Sequence, residues 1–103
     1  MNRYRVEDSA RAREQARAVA RWWAENRRDA PSLFTDELAA AFERLATLPS
    51  SGVPYRSARQ KDVRRLLLER SRYHVYYSVD EQAARVVVRA IWHAARGRDP
   101  RLR

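Results

Sequence analysis

The chain contains no cysteine. That excludes disulfides, thiolate metal sites and thiol nucleophiles, and it suits a reducing cytosol. Histidine is almost as scarce, with only His74 and His93. Neither has a cluster of carboxylates near it in sequence, so no metal site and no cofactor are expected. With two glycines, four prolines and 45% hydrophobic residues, disorder and low complexity are ruled out. No apolar run approaches the ~20 residues needed to span a bilayer. Residues 1–12 lack an apolar signal core, so a cytoplasmic location is expected. Lysine is nearly absent as well, since 21 of the 22 basic residues are arginine. Arginine pairs bidentately with phosphate and carboxylate, but genome composition alone also produces such a bias.

A chain of 103 residues suffices for one domain with a modest core. Its formal charge is +9, and the excess is not spread evenly. Residues 1–52 hold nine arginines against eight carboxylates, while residues 53–103 hold twelve arginines and Lys61 against five. A basic half of that kind points to a polyanionic partner.

Residues 3–7 alternate Tyr4 and Val6 with charged residues and predict a first strand. Asp8 or Ser9 can cap the helix that follows, because a short side-chain oxygen accepts first-turn amide protons. That helix is expected over residues 10–27, with the apolar stripe Ala12, Ala16, Val19, Ala20 and Trp23. Trp22 falls at the edge of the stripe. Pro31 suits the first turn of a second helix, whose stripe is Phe34, Leu38, Ala41, Phe42, Leu45 and Leu48. The two helices form a hairpin, which residues 49–54 (PSSGVP) end. Residues 55–61 are polar and basic and predict a loop.

Three strands follow, near residues 62–69, 73–79 and 85–93. Strict alternation puts Val86, Val88, Ala90 and Trp92 toward the helices, matched by Tyr73, Val75, Tyr77 and Val79. Tyr77 then pairs with Val88, Val75 with Ala90, and Tyr73 with Trp92. On the opposite face Tyr76 meets Arg89, Arg72 meets His93, and Arg65 meets Tyr76 from the first of the three strands. Arg65, Arg72, Tyr76, Arg89 and His93 are thus expected to share one open face. Residues 97–103 read as a basic, frayed tail.

The order strand, two helices and three strands carries a set of spaced residues. Phe34, Leu38, Leu45, Leu48, Pro49 and Gly52 close the second helix. Val63-Arg64-Arg65-Leu66, then Tyr73-His74-Val75-Tyr76-Tyr77-Ser78-Val79-Asp80, and finally Ile91-Trp92-His93-Ala94-Ala95-Arg96 mark the strands. Together these resemble the RelE/ParE superfamily of toxins from type II toxin–antitoxin systems, more closely its ParE-like branch. The resemblance spans nearly the whole chain. It implies an α+β fold, β-α-α-β-β-β, with an antiparallel-rich sheet and a two-helix hairpin on one face. It also implies a growth-inhibiting toxin neutralised by a cognate antitoxin. RelE-like members cut messenger RNA on the ribosome, whereas ParE-like members poison DNA gyrase.

The candidate residues follow from chemistry and from this resemblance. His93 at the end of the last strand suits general acid or base catalysis, against the plainer role of a histidine bonded to backbone. Arg65 and Arg89 suit stabilisation of phosphate charge, against that of solvated arginines. Tyr76 suits base stacking, though a tyrosine beside an arginine needs no ligand. Arg64 points toward the helices and suits a structural pairing with the loop or with an acid. Arg96, Arg98 and Arg101 extend the polyanion-binding set, and Trp22 is the candidate antitoxin contact. Arg56, Arg59 and Lys61 supply positive charge in the loop, but no glutamate is there and no tyrosine follows Tyr77. Arginine stays protonated and is a poor general base, so a complete acid–base pair is hard to assemble. The expected function is a ParE-like gyrase inhibitor without covalent chemistry. The alternatives are a ribosome-dependent endoribonuclease and a non-toxic basic module that regulates its operon with the antitoxin.

Overall fold

A computed structural model describes residues 3–56, 62–97, 100 and 102. The elements run β1 (Arg5–Asp8), α1 (Ala10–Asn26), α2 (Leu33–Thr47), a 3-10 turn (Pro49–Ser51), β2 (Val53–Pro54), β3 (Val63–Leu68), β4 (Tyr73–Asp80) and β5 (Arg85–His93). The five strands form one sheet in the order β1-β5-β4-β3-β2. β1 pairs in parallel with β5, and every other pairing is antiparallel. Both helices pack on one face. The expected fold class is therefore observed, with β2 added as a short edge strand.

Ser9 ends β1 and starts α1. Its Oγ accepts the Ala12 amide proton at 3.1 Å, removing one orphan donor from the first turn. Asp8 instead pairs with Arg13 at 3.2 Å. α1 buries Ala12 and Trp23 and packs Ala16, Val19 and Ala20 against the core, as its stripe predicts. α2 begins later than expected, at Leu33, so Pro31 lies in the preceding turn rather than the first helical turn. Phe34, Ala41 and Leu45 are buried and Leu38 and Phe42 pack beside them. Leu48 departs from its stripe and is 50% exposed. The chain leaves helical geometry there, since Leu48 caps α2 and leads into the 3-10 turn.

Two polar clasps tie the connections to the core. The Tyr77 hydroxyl accepts the Gly52 amide proton and donates to the Pro49 carbonyl, both at 2.8 Å. Burial raises the Tyr77 pKa above the ordinary phenol value, the Gly52 bond and Arg64 only partly offsetting it. Gly52 sits so close that a Cβ there would lie 2.6 Å from this hydroxyl oxygen. Only a residue without a side chain leaves room for the clasp. Arg64 donates to the Gly52 carbonyl at 2.7 Å, the structural pairing expected for it. On the other side of the hairpin, the Glu37 carboxylate accepts the amide protons of Arg70 and Ser71 at 2.9 and 2.8 Å. Burial acts to raise the Glu37 pKa, but these bonds and the Arg70 charge outweigh it and hold it below the usual value.

Candidate functional site

The register between β4 and β5 determines which side chains share a face. Tyr77 faces Val88, as alternation predicts, but Val75 faces Ile91 and Tyr73 faces His93. A β-bulge between these rows inserts Arg89 as an extra residue on β5. Every β5 side chain beyond it changes face. Ile91 joins the core under the helices, and His93 sits edge-on to Tyr73 with ring centroids 4.9 Å apart. Ala90 and Trp92 move to the open face, where Tyr76 pairs with Ala90 and His74 with Trp92.

The bulge has a local cause. β1 covers the edge of β5 only as far as Val88. Beyond that point the start of α1 takes over the exposed backbone groups. The Ser9 amide donates to the Val88 carbonyl at 2.9 Å and its hydroxyl to the Arg89 carbonyl at 3.4 Å. The Ile91 amide donates to the Gln15 side-chain oxygen at 2.8 Å. These bonds satisfy backbone groups that a regular ladder would otherwise have to pair.

The open face beyond the bulge is thus built from Arg65, His74, Tyr76, Arg89, Trp92 and Arg96, with Tyr55 leaning over it. Arg65 pairs with Tyr76 across β3 and β4 as expected. Its guanidinium lies 5.5 Å from the centroid of Tyr55, which in turn packs edge-on to Tyr76 at 5.0 Å. Arg96 stacks over Trp92 at 4.3 Å. The Arg89 side chain donates to the Ser78 hydroxyl at 3.1 Å and stays on this face. Burial lowers the His74 pKa below its ordinary 6.5, and the charges of Arg65 and Arg72 lower it further. Burial and the neighbouring guanidinium thus both favour the neutral imidazole of His74.

Three sequence expectations are corrected. His93 and Arg72 do not lie on the open face. Both line a cavity on the helix side with Trp22, Trp23 and Tyr73, and the His93 Nδ1 accepts the Ala95 amide proton at 3.1 Å. Tyr76 is on the open face but only 2% exposed, so its ring is not free to stack on a base. Trp92, assigned to the helix side by alternation, stands on the open face instead. The tail is also held at two points, because Pro100 is buried and Leu102, 3% exposed, packs on Val63, Tyr76 and Ala90. Arg98 and Arg101, like Arg59 and Lys61 in the loop, lie outside the described residues. Trp22 keeps its expected position at the edge of its helix, 46% exposed.

Sequence reasoning missed His74 and Trp92 as site residues. Alternation with Val75 and Tyr77 had put His74 on this face without its being chosen. Trp92 had no such signal, because the bulge depends on the helix side chains that cover β5. Among the described residues, no group of histidines and carboxylates could hold a metal ion. No helix in that set is long and apolar enough to cross a membrane.

Comparison with known proteins now decides the family. The model of the ParE toxin of the type II toxin–antitoxin system parDE matches residues 6–98. The chain belongs to the ParE toxin family. Among solved structures, it is similar to a chain of the toxin–antitoxin complex RelBE2 from Mycobacterium tuberculosis, with TM-score 0.68 and 22% identity. That match covers 93% of this chain and 97% of the other. A chain of the chromosomal ParDE system from P. aeruginosa matches with TM-score 0.66 and 14% identity, over 87% and 95% of the two chains. Both support the fold. No relative is found among the curated proteins.

Proposed function

We propose that this ParE-family toxin inhibits DNA gyrase by docking through its open sheet face, without covalent chemistry of its own, and is neutralised by a cognate antitoxin. The observation that carries this reading is the composition of that face beyond the bulge. Arg65 and Arg96 stand among Tyr55 and Trp92, with Arg89 at the bulge turned toward Ser78, and no strand residue beyond the bulge is a carboxylate. Cationic and aromatic groups in such a row suit a phosphate-rich or acidic surface. Acid–base catalysis needs a second titrating partner within reach of the reacting atoms. His93 does not supply it from the helix side.

The neighbours named RelBE2 and ParDE are toxin–antitoxin complexes, which supports an antitoxin partner here. Trp22, exposed at the edge of α1, is the surface assigned to that contact. Arg98 and Arg101 are proposed to extend the target-binding set with Arg96.

A second reading rests on His74. A neutral imidazole beside the Arg65 guanidinium fits a general base next to a phosphate clamp, as a ribosome-dependent endoribonuclease requires. Induced expression separates the two. Gyrase docking predicts accumulated gyrase–DNA cleavage complexes with intact messages, and nuclease action predicts codon-positioned message cuts without DNA breaks. Under the gyrase reading, replacing Arg96, Arg98 and Arg101 together lowers toxicity more than His93→Ala. Full toxicity in that triple variant contradicts the assignment. Normal growth on induction without any antitoxin points instead to a non-toxic regulatory module.

A further inference from the structure

A second cationic site lies on the helix side of the sheet, away from the open face. The end of α1, the β3–β4 turn and the end of β5 enclose a cavity of about 270 Å³. Trp22, Trp23, Arg27, Arg70, Arg72 and His93 line it. The Arg27 guanidinium lies 5.7 and 5.6 Å from the Trp22 and Trp23 rings, so the two indoles hold it in place. Arg27, Arg70 and Arg72 take part in none of the ion pairs among the described residues. Glu37, which feels the Arg70 charge, is already engaged by two backbone amides.

Trp23 adds an independent sign. It is 8% exposed, and its Nε1 is buried without a hydrogen-bond partner. An indole N–H can only donate, and an unpaired buried donor is costly to keep. His93 contributes in the same sense, because its Nδ1 accepts from the Ala95 amide and leaves Nε2 as the ring donor. The lining therefore carries three guanidiniums and no carboxylate, since Ser71 and Tyr73 add only neutral hydroxyls.

We propose that this cavity receives a carboxylate side chain from an acidic segment of a protein partner. A carboxylate matches the planar Arg27 fork bidentately and supplies an acceptor for the indole. Trp22, 46% exposed on the rim, gives apolar surface for the residue beside it. An arginine flanked by tryptophans has the composition of a protein–protein anchor. The proposal requires a protein partner, and it is independent of whether the toxin attacks gyrase or the ribosome.

The test follows the three tryptophan indole N–H signals of the intact chain by nuclear magnetic resonance, assigned with Trp22→Phe and Trp92→Phe. The probes are acetyl-Leu-Glu-Leu-amide, its glutamine counterpart and inorganic phosphate. The glutamate peptide should shift the Trp23 signal saturably, and the glutamine peptide should not. Arg27→Ala with Arg72→Ala should weaken that binding about tenfold or more, while Arg17→Ala leaves it unchanged. Arg27→Gln serves if the double variant unfolds, and should weaken binding in the same direction. Three results overturn the proposal: equal shifts with both peptides, full affinity in the arginine variants, or saturable binding by phosphate alone.

Discussion

The two faces of one sheet differ more than its two ends. Under the helices, Phe34, Leu45, Val75, Tyr77, Val86 and Val88 are fully buried, and the polar groups among them are clasped by backbone. On the open face the same strands present Arg65, His74, Arg89 and Trp92, only partly covered by Tyr55 and Leu102. The first surface contributes stability through apolar burial. The second keeps cations and aromatic rings where a partner can reach them. One inserted residue, Arg89, sets the boundary, because it moves Trp92 out and Ile91 and His93 in.

Removing apolar contacts from the first face is expected to have the largest effect. Phe34→Ala should cost about 3–5 kcal/mol by creating a cavity under α2, and what target binding remains in the folded fraction should be unaltered. Gly52→Ala pushes a methyl group against the Tyr77 hydroxyl and should lower stability by about 1–3 kcal/mol. Its thermal midpoint, compared with that of Tyr77→Phe, tests whether the clasp is the cause. Arg65→Ala, on the open face, should change stability by less than about 0.5 kcal/mol yet reduce toxicity on induction.

The smallest effect is a pH slope from His74. Its folded pKa is lowered, first by burial and then by Arg65 and Arg72, so the native state resists protonation. The unfolded chain binds that proton more readily, and stability rises with pH across this window. Stability is fully present above pH 6.5 and is lost as the pH falls toward the folded value. His74→Gln should flatten the slope just below pH 6.5 in pH-dependent denaturation, and an unchanged slope assigns it to another group.

The helices, the antiparallel run of the last three strands and the Arg65–Tyr76 and Tyr77–Val88 pairs were legible from periodicity, whereas the parallel pairing of β1 with β5 and the edge strand β2 were not. The second half of β5 was not. Apolar residues stand on both of its faces, at Val86, Val87 and Val88 and again at Ala90, Ile91 and Trp92. Either register therefore buries an apolar row, and pattern cannot choose between them. The choice rests on Ser9 and Gln15, whose side chains meet β5 only once α1 is docked. The candidate site inherited that error at His93 and Trp92, which exchange faces, while Arg72 leaves the open face because it sits in the β3–β4 turn with φ 67°.

The central claim is that the open face, not the His93 side, engages the target. The most direct measurement compares gyrase–DNA cleavage complexes in cells induced for the parent chain, for Arg65→Ala combined with Arg96→Ala, and for His93→Ala. Replacing the arginine pair should abolish these complexes, while His93→Ala should retain most of them. Loss of the complexes in His93→Ala, with the arginine variant still active, would contradict the claim.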